Sequence, residues 1–381
     1  MTNYDSIRPY NDSETSEAMN RLAMAPELAP ISEFIFGKGM EVALREKLKS
    51  LNDIYGFQSE IMAKAVRAIL KKTAGSLNVK GVENIQDNRK HILISNHRDI
   101  ILDPAIIQLI LFDTGFATTE IAVGDNLIAN SLIEDVFRSN RMIKVARGGT
   151  PREKYFFSQL LSSYMREAVT TGRCSVWIAQ RNGRTKDGID RTSQGLMKMM
   201  EISGSGDFVA DFSELSLLPI SVSYRFEPCD FLKARELYIT RRKKYVKKPG
   251  EDTHSIITGI TQQKGDISFC FSKAITADEL EQCALLGKNE RFQALANLID
   301  SRIRGNFELW DTNYIAADMI AETDVHSSHY TADEKESFRN YMETGLAAIV
   351  AEDPYIDITE LRCIFLDIYA NPVRLHCGEI L

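Results

Sequence analysis

HILISNHRDIILDP, residues 91–104, decides the fold. Its first five residues are a short apolar run with isoleucines, the pattern of a buried strand. Its end opens a second apolar run, 100–112, interrupted by Asp103 and Pro104, with the length of a buried helix and not of a membrane span. Between the two stand one histidine, His97, and two aspartates, Asp99 and Asp103. A strand passing through a polar loop into a helix is the unit of an α/β sheet, whose strand-end loops carry chemistry. Histidine titrates near neutrality, so at that position it is a candidate general base. Proline suits the first helical position and disfavours helix in the residue before it, so Asp103 reads as a helix N-cap. Six residues along a helix is a rotation of about 600°, so His97 and Asp103 meet only if the stretch between them is a loop. Asp99, two residues from His97, is the alternative partner in a tight turn.

Outward from this stretch the same alternation repeats. Strands are expected near 76–85, 118–124, 141–145, 174–179, 218–224 and 266–271, and helices near 126–138, 151–171 and 192–202. The reading is an α/β fold, a mixed sheet flanked by helices, over residues 76–276. A helical N-terminal region, 1–75, precedes it, with helices near 15–28, 39–51 and 53–72. A helical C-terminal extension, 277–381, follows. The 53–72 helix carries Lys64, Arg67, Lys71 and Lys72 away from its apolar stripe. It reads as a core face backed by a solvated one, or as a basic amphipathic helix touching anionic lipid.

Composition narrows the function. Lys plus Arg number 46 against 53 Asp plus Glu, a formal charge of −7 over 381 residues, which argues against nucleic acid as the main partner. Six scattered cysteines form no CxxC pair, and no secretory leader is visible, so free thiols in a reducing compartment are expected. His326 and His329 lack neighbouring ligands, so no metal site is expected. The densest charge run, RRKKYVKK at 241–248, reads as a solvated loop or as a contact for anionic lipid or an acidic carrier protein.

Three further strand ends carry polar motifs. MIKVARGG, 142–149, offers Arg147 beside the bare backbone of Gly148, a candidate phosphate seat. VWIAQRNGRTKDG, 176–188, places Arg181, Gly183, Arg184 and Thr185 together, and guanidinium groups suit bidentate phosphate recognition. SLLPISVSYRF, 216–226, is an apolar strand with Pro219, unusual for a central strand. Alone, each also reads as an ordinary turn or strand.

In this order the four stretches resemble the blocks of the glycerolipid acyltransferase family, the glycerol-3-phosphate and lysophosphatidate acyltransferases. Those blocks are His-x4-Asp, a strand ending near an arginine, Glu-Gly-x-Arg-Ser, and an apolar strand with proline. The resemblance covers about residues 78–275. Two departures stand out: five residues rather than four separate His97 from Asp103, and Asn182 replaces the glutamate of the third block.

The resemblance implies an O-acyltransferase. His97 would be the general base on a hydroxyl that attacks a thioester directly, with Asp103 the preferred carboxylate partner and Asp99 the alternative. Arg147, Gly148, Arg181, Gly183, Arg184 and Thr185 would bind the acceptor phosphate. It implies no cofactor, a donor that is acyl-CoA or acyl-carrier protein, and a lysophospholipid or glycerol phosphate acceptor. The expected location is cytoplasmic, peripheral on the inner face of the membrane. Alternatives are a non-catalytic lipid- or phosphate-binding protein on the same scaffold, or an acyltransferase acting on an amino-lipid.

Overall fold

A computed structural model describes residues 3–128 and 130–379. All seven segments read as strands are strands: β1 (Ala74–Lys80), β2 (Ile92–Ser95), β3 (Glu120–Gly124), β4 (Met142–Val145), β5 (Val176–Ala179), β6 (Leu217–Tyr224) and β7 (Gly265–Phe271). They form one sheet in the order β1-β7-β6-β2-β5-β3-β4. Only the β6–β7 pair is antiparallel, so the sheet is mixed, as expected. The carboxyl ends of β6, β2, β5, β3 and β4 therefore share one edge.

Helices α1 (Asp12–Met24), α2 (Leu28–Phe36), α3 (Glu41–Lys49), α4 (Ile54–Phe57) and α5 (Ala63–Thr73) precede the sheet. Connecting its strands are α6 (Leu102–Asp113), α7 (Ser131–Ser139), α8 (Pro151–Thr170), α9 (Gln194–Glu201), α10 (Phe208–Leu215), α11 (Asp230–Thr240) and α12 (Glu251–Thr261). After it come α13 (Ala277–Ala284), α14 (Glu290–Gly305), α15 (Asp311–Ala321), α16 (Ala332–Glu352) and α17 (Ile358–Cys377). No helix among the described residues is long and apolar enough to cross a membrane.

Side-chain alternation along β2 builds both halves of the core. Ile92 and Ile94 join one apolar cluster with residues of α8, α9, α10 and α14, and Leu93 joins the other with α5 and α6. Both faces being covered explains the continuous apolar run. Pro219 is tolerated in a central strand because its nitrogen faces β7 just past the end of the ladder. The last antiparallel rung pairs Ile220 with Phe271, and the Pro219 carbonyl accepts from Ser272 N at 2.9 Å. On α5 the apolar stripe is core: Ala65, Val66 and Ile69 are buried, while Lys64 pairs with Glu60 and Arg67 with Asp113.

The C-terminal helices clamp the loop that follows β5. Asn371 Nδ2 of α17 donates to the Asp187 carbonyl at 2.7 Å, and Asp300 of α14 accepts from Thr192 N at 2.7 Å. Gly188 sits in the same loop with φ 75°, and a Cβ there would meet the Ile368 carbonyl oxygen of α17 at 2.2 Å. Gly188→Ala is expected to destabilise the protein by about 2–4 kcal/mol, through a strained left-handed residue and a backbone clash. Thermal denaturation of the purified variant checks this; an unchanged midpoint would contradict the clamp.

Candidate active site

His97 follows β2 directly, and the chain from Asn96 to Ile101 is irregular before α6 begins. The loop lets the two ends of the motif meet: His97 Nδ1 lies 2.8 Å from Asp103 Oδ2. The extra residue relative to a four-residue spacer is absorbed in the turn at Ile100 and Ile101. No contact joins Asp99 to the imidazole among the described residues. The expectation that Asp103 caps the helix is corrected. Asp103 lies inside the first turn of α6, and Asp99 does the capping, its Oδ1 accepting from Ile101 N at 2.9 Å and Leu102 N at 2.7 Å. Pro104 costs nothing there, because the first helical N–H groups have no intrahelical acceptor anyway.

Asp103 is fully buried and accepts four hydrogen bonds. Oδ2 takes His97 Nδ1, Arg98 N at 2.6 Å and Asp99 N at 2.9 Å; Oδ1 takes the Tyr224 hydroxyl at 2.7 Å. Burial alone would push this carboxyl up, but the hydrogen bond and charge of His97, with Tyr224 and the backbone, hold it below the ordinary range. Tyr224 is driven well above its usual value by burial and by the Asp103 charge, so it remains a donor. Asp99 behaves oppositely: burial, and then its neighbour Asp103, push its carboxyl up. An ionised Asp103 accepts from Nδ1, which makes His97 the Nδ1–H tautomer and leaves the lone pair on Nε2. The ring, 13% exposed, stands edge-on to Trp177 with centroids 5.7 Å apart.

Side chains that the sequence did not single out lock this loop. Arg98, 1% exposed, bonds Asp190 of the β5 loop at 2.5 Å and Glu227, after β6, at 3.1 Å. Lys233 Nζ of α11 donates to the Arg98 carbonyl at 2.8 Å and to Glu227 at 2.6 Å. Asn96 Nδ2 reaches Asp190 and the Val222 carbonyl at 3.0 and 2.8 Å. Arg98 was visible inside the motif, yet nothing local in the sequence announces that it is buried.

The expected phosphate-binding residues are not all brought together. Thr185 is buried: its N–H donates to the His97 carbonyl at 2.8 Å and its hydroxyl to Asp190 at 2.5 Å, so it docks the β5 loop onto the histidine loop. Gly183 is exposed with φ 76°, and Arg181 beside it has no ion pair among the described residues. Arg184 is half-buried near Asp99 and Cys229, its Nη1 enclosed without a hydrogen bond. Arg147 and Gly148 are exposed after β4, three strands from β2. At ~4.8 Å per strand that is roughly 14 Å across the sheet. Among the described residues no His, Cys, Asp and Glu group could hold a metal, and all six cysteines are free.

A histidine oriented by a buried carboxylate, at the carboxyl edge of an α/β sheet, has the geometry a general base requires. Residues 76–223 match the family model described as Acyltransferase. Among solved structures, the 1-acyl-sn-glycerophosphate (LPA) acyltransferase PlsC from Thermotoga maritima is similar, at 11% identity and a TM-score of 0.39, over 76% of this chain and 92% of that one. No curated protein matches the chain.

Because Asp103 is held below its unfolded value, its contribution to stability is complete above the ordinary aspartate pKa of about 3.9 and is lost as pH falls through the folded value. Tyr224→Phe removes one of its four donors. We expect a loss of about 1–2 kcal/mol at neutral pH. The acid limb of the stability curve should also shift to higher pH, read from denaturant midpoints over a pH series. A limb that stays in place would show that Tyr224 does not support the carboxylate.

Proposed function

We propose that the protein transfers a fatty acyl group from a thioester donor to the hydroxyl of a phosphate-bearing acceptor, a lysophospholipid or glycerol phosphate. The carrying observation is the 2.8 Å bond between His97 Nδ1 and the buried Asp103, inside the segment that matches the acyltransferase model. His97 Nε2 takes the hydroxyl proton as the oxygen attacks the thioester carbonyl. The new C–O bond forms, the C–S bond breaks, and the imidazolium returns the proton to the leaving thiolate. Asp103 holds the ring in its tautomer and offsets the charge it gains. Arg147 and Arg181, which have no ion pair among the described residues, bind the acceptor phosphate from the same sheet edge.

Purified protein with palmitoyl-CoA and lysophosphatidate should release free thiol and form the diacyl product. His97→Ala is expected to lower kcat by about 10²–10⁴-fold, and Asp103→Asn to do nearly as much. Asp99→Asn should keep the rate within about threefold, since asparagine caps a helix as well as aspartate. Full activity in His97→Ala would end the assignment.

We also propose that the protein works at a membrane surface, docked through α2 rather than α5. In α2 only Ser32 is buried, and Ile31 and Phe34 are 50% and 39% exposed. Met24, Met40 and Val42 are exposed nearby in the chain, and Lys72 lies over the Phe34 ring. An apolar helix beside lysines suits the interface of anionic lipid. Ile31→Ser/Phe34→Ser should reduce sedimentation with phosphatidylglycerol vesicles severalfold without altering the melting curve. Unchanged sedimentation would contradict this placement.

A further inference from the structure

A cavity of about 930 Å³ opens between α11, α12 and α16, outside the segment that matches the family model except for Arg184 in its wall. Its size is that of a small-molecule site. Phe231, Leu232, Ile239 and Ile349 give it apolar walls. The charge run 241–248 divides at its rim. Arg241 and Arg242 pair with Glu360, and Lys247 with Asp252. Lys243, Lys244 and Lys248 line the cavity with no ion pair among the described residues. Arg184, near Asp99, adds a fourth cation, its Nη1 enclosed without a hydrogen bond. Of the four acids in the lining, Glu236 is paired with Lys186 and Glu352 with Arg235, Glu251 accepts from the Tyr245 hydroxyl and Lys248 N, and Asp353 accepts from Tyr355 N.

The wall is joined to the histidine loop at two points. Arg184 adjoins Thr185, whose N–H holds the His97 carbonyl, and Lys233 holds the Arg98 carbonyl. Such a cavity fits a molecule with several phosphate charges and a long uncharged arm that leads toward His97. A single phosphate would leave most of these cations unmatched. A carrier protein would dock on an open face, not in a recess between three helices.

We propose that this cavity binds the nucleotide-diphosphate end of an acyl-CoA donor, with Lys243, Lys244 and Lys248 on its phosphates and Arg184 at the inner end. The inference rests on the acyl-transfer reading for its choice of ligand, and binding can be measured apart from turnover. Free CoA is titrated calorimetrically into the full-length protein and into the combined variant Lys243→Gln, Lys244→Gln, Lys248→Gln, all three side chains being exposed. The variant should bind CoA about tenfold more weakly, and added salt should weaken wild-type binding. KM for palmitoyl-CoA should rise in step, with kcat unchanged.

Equal CoA affinity in variant and wild type, or no CoA binding to wild type, overturns the proposal. So does a variant that loses affinity for lysophosphatidate instead of CoA, or that responds only with acyl-carrier protein as donor. His97-dependent transfer from palmitoyl-CoA with an unaltered KM in the variant would sink the cavity assignment and leave the acyl-transfer reading standing. CoA binding lost in the variant, with no transfer to any acceptor in wild type, would uphold the cavity and sink that reading.

Discussion

A carboxylate with no solvent exposure governs this site. Asp103 stays charged in the core only because four donors converge on it, from a side chain of β6, from His97 and from the backbone of the two residues after it. Burying an unpaired carboxylate costs many kcal/mol, so each donor constrains the loop that supplies it. The two backbone donations require the chain to turn back over the start of α6. That turn aims the imidazole at the same carboxylate. The geometry of His97 is thus a consequence of where a buried charge can be solvated by protein.

A second buried charge extends the constraint across three strands. The Arg98 guanidinium is neutralised by Asp190 and Glu227, which come from the loops after β5 and β6. Removing one partner from such a cluster leaves a buried charge uncompensated, a loss of about 3–5 kcal/mol. The loops therefore hold as a unit, and α14 and α17 press on the β5 loop from outside through Asp300 and Asn371. The helices after the sheet are part of what positions the histidine.

The strands and the His97–Asp103 pair were legible because local rules sufficed. Short isoleucine-rich runs ended in polar turns, and a histidine closed one of them. Boundaries blurred by a few residues, and the helix cap went to the wrong aspartate because proline was weighed without the backbone donors that capture Asp103. Helices α2, α10, α11 and α12 are not legible in the sequence. In α2, Pro30 interrupts the pattern and no apolar residue is fully buried, Ile31 and Phe34 being exposed. In α12, a polar run with Gly259 hides the period; that glycine is required because a Cβ would strike Asp99 Oδ2 at 2.1 Å. Tyr224, Asp190, Glu227 and Lys233 entered the site through contacts 90 or more residues from the motif in sequence, which no local spacing encodes.

Strand order also separates cations that the sequence placed in one group. Arg147 leaves the edge strand β4, and Arg181 leaves β5, beside the histidine strand. The two loops stand about 10 Å apart at ~4.8 Å per strand, a gap that two arginine side chains can bridge around one phosphate. Arg184 turns the other way, toward Cys229 and the cavity beyond it. Arg181 and Arg184 of one loop thus divide their charges between two directions, with the histidine loop between them. The proposed transfer joins two anionic substrates, and such a division would hold their repelling phosphates apart while hydroxyl and thioester meet. Thr185 sits at the dividing point with its N–H on the His97 carbonyl, so the residue that separates the two charges also anchors the base.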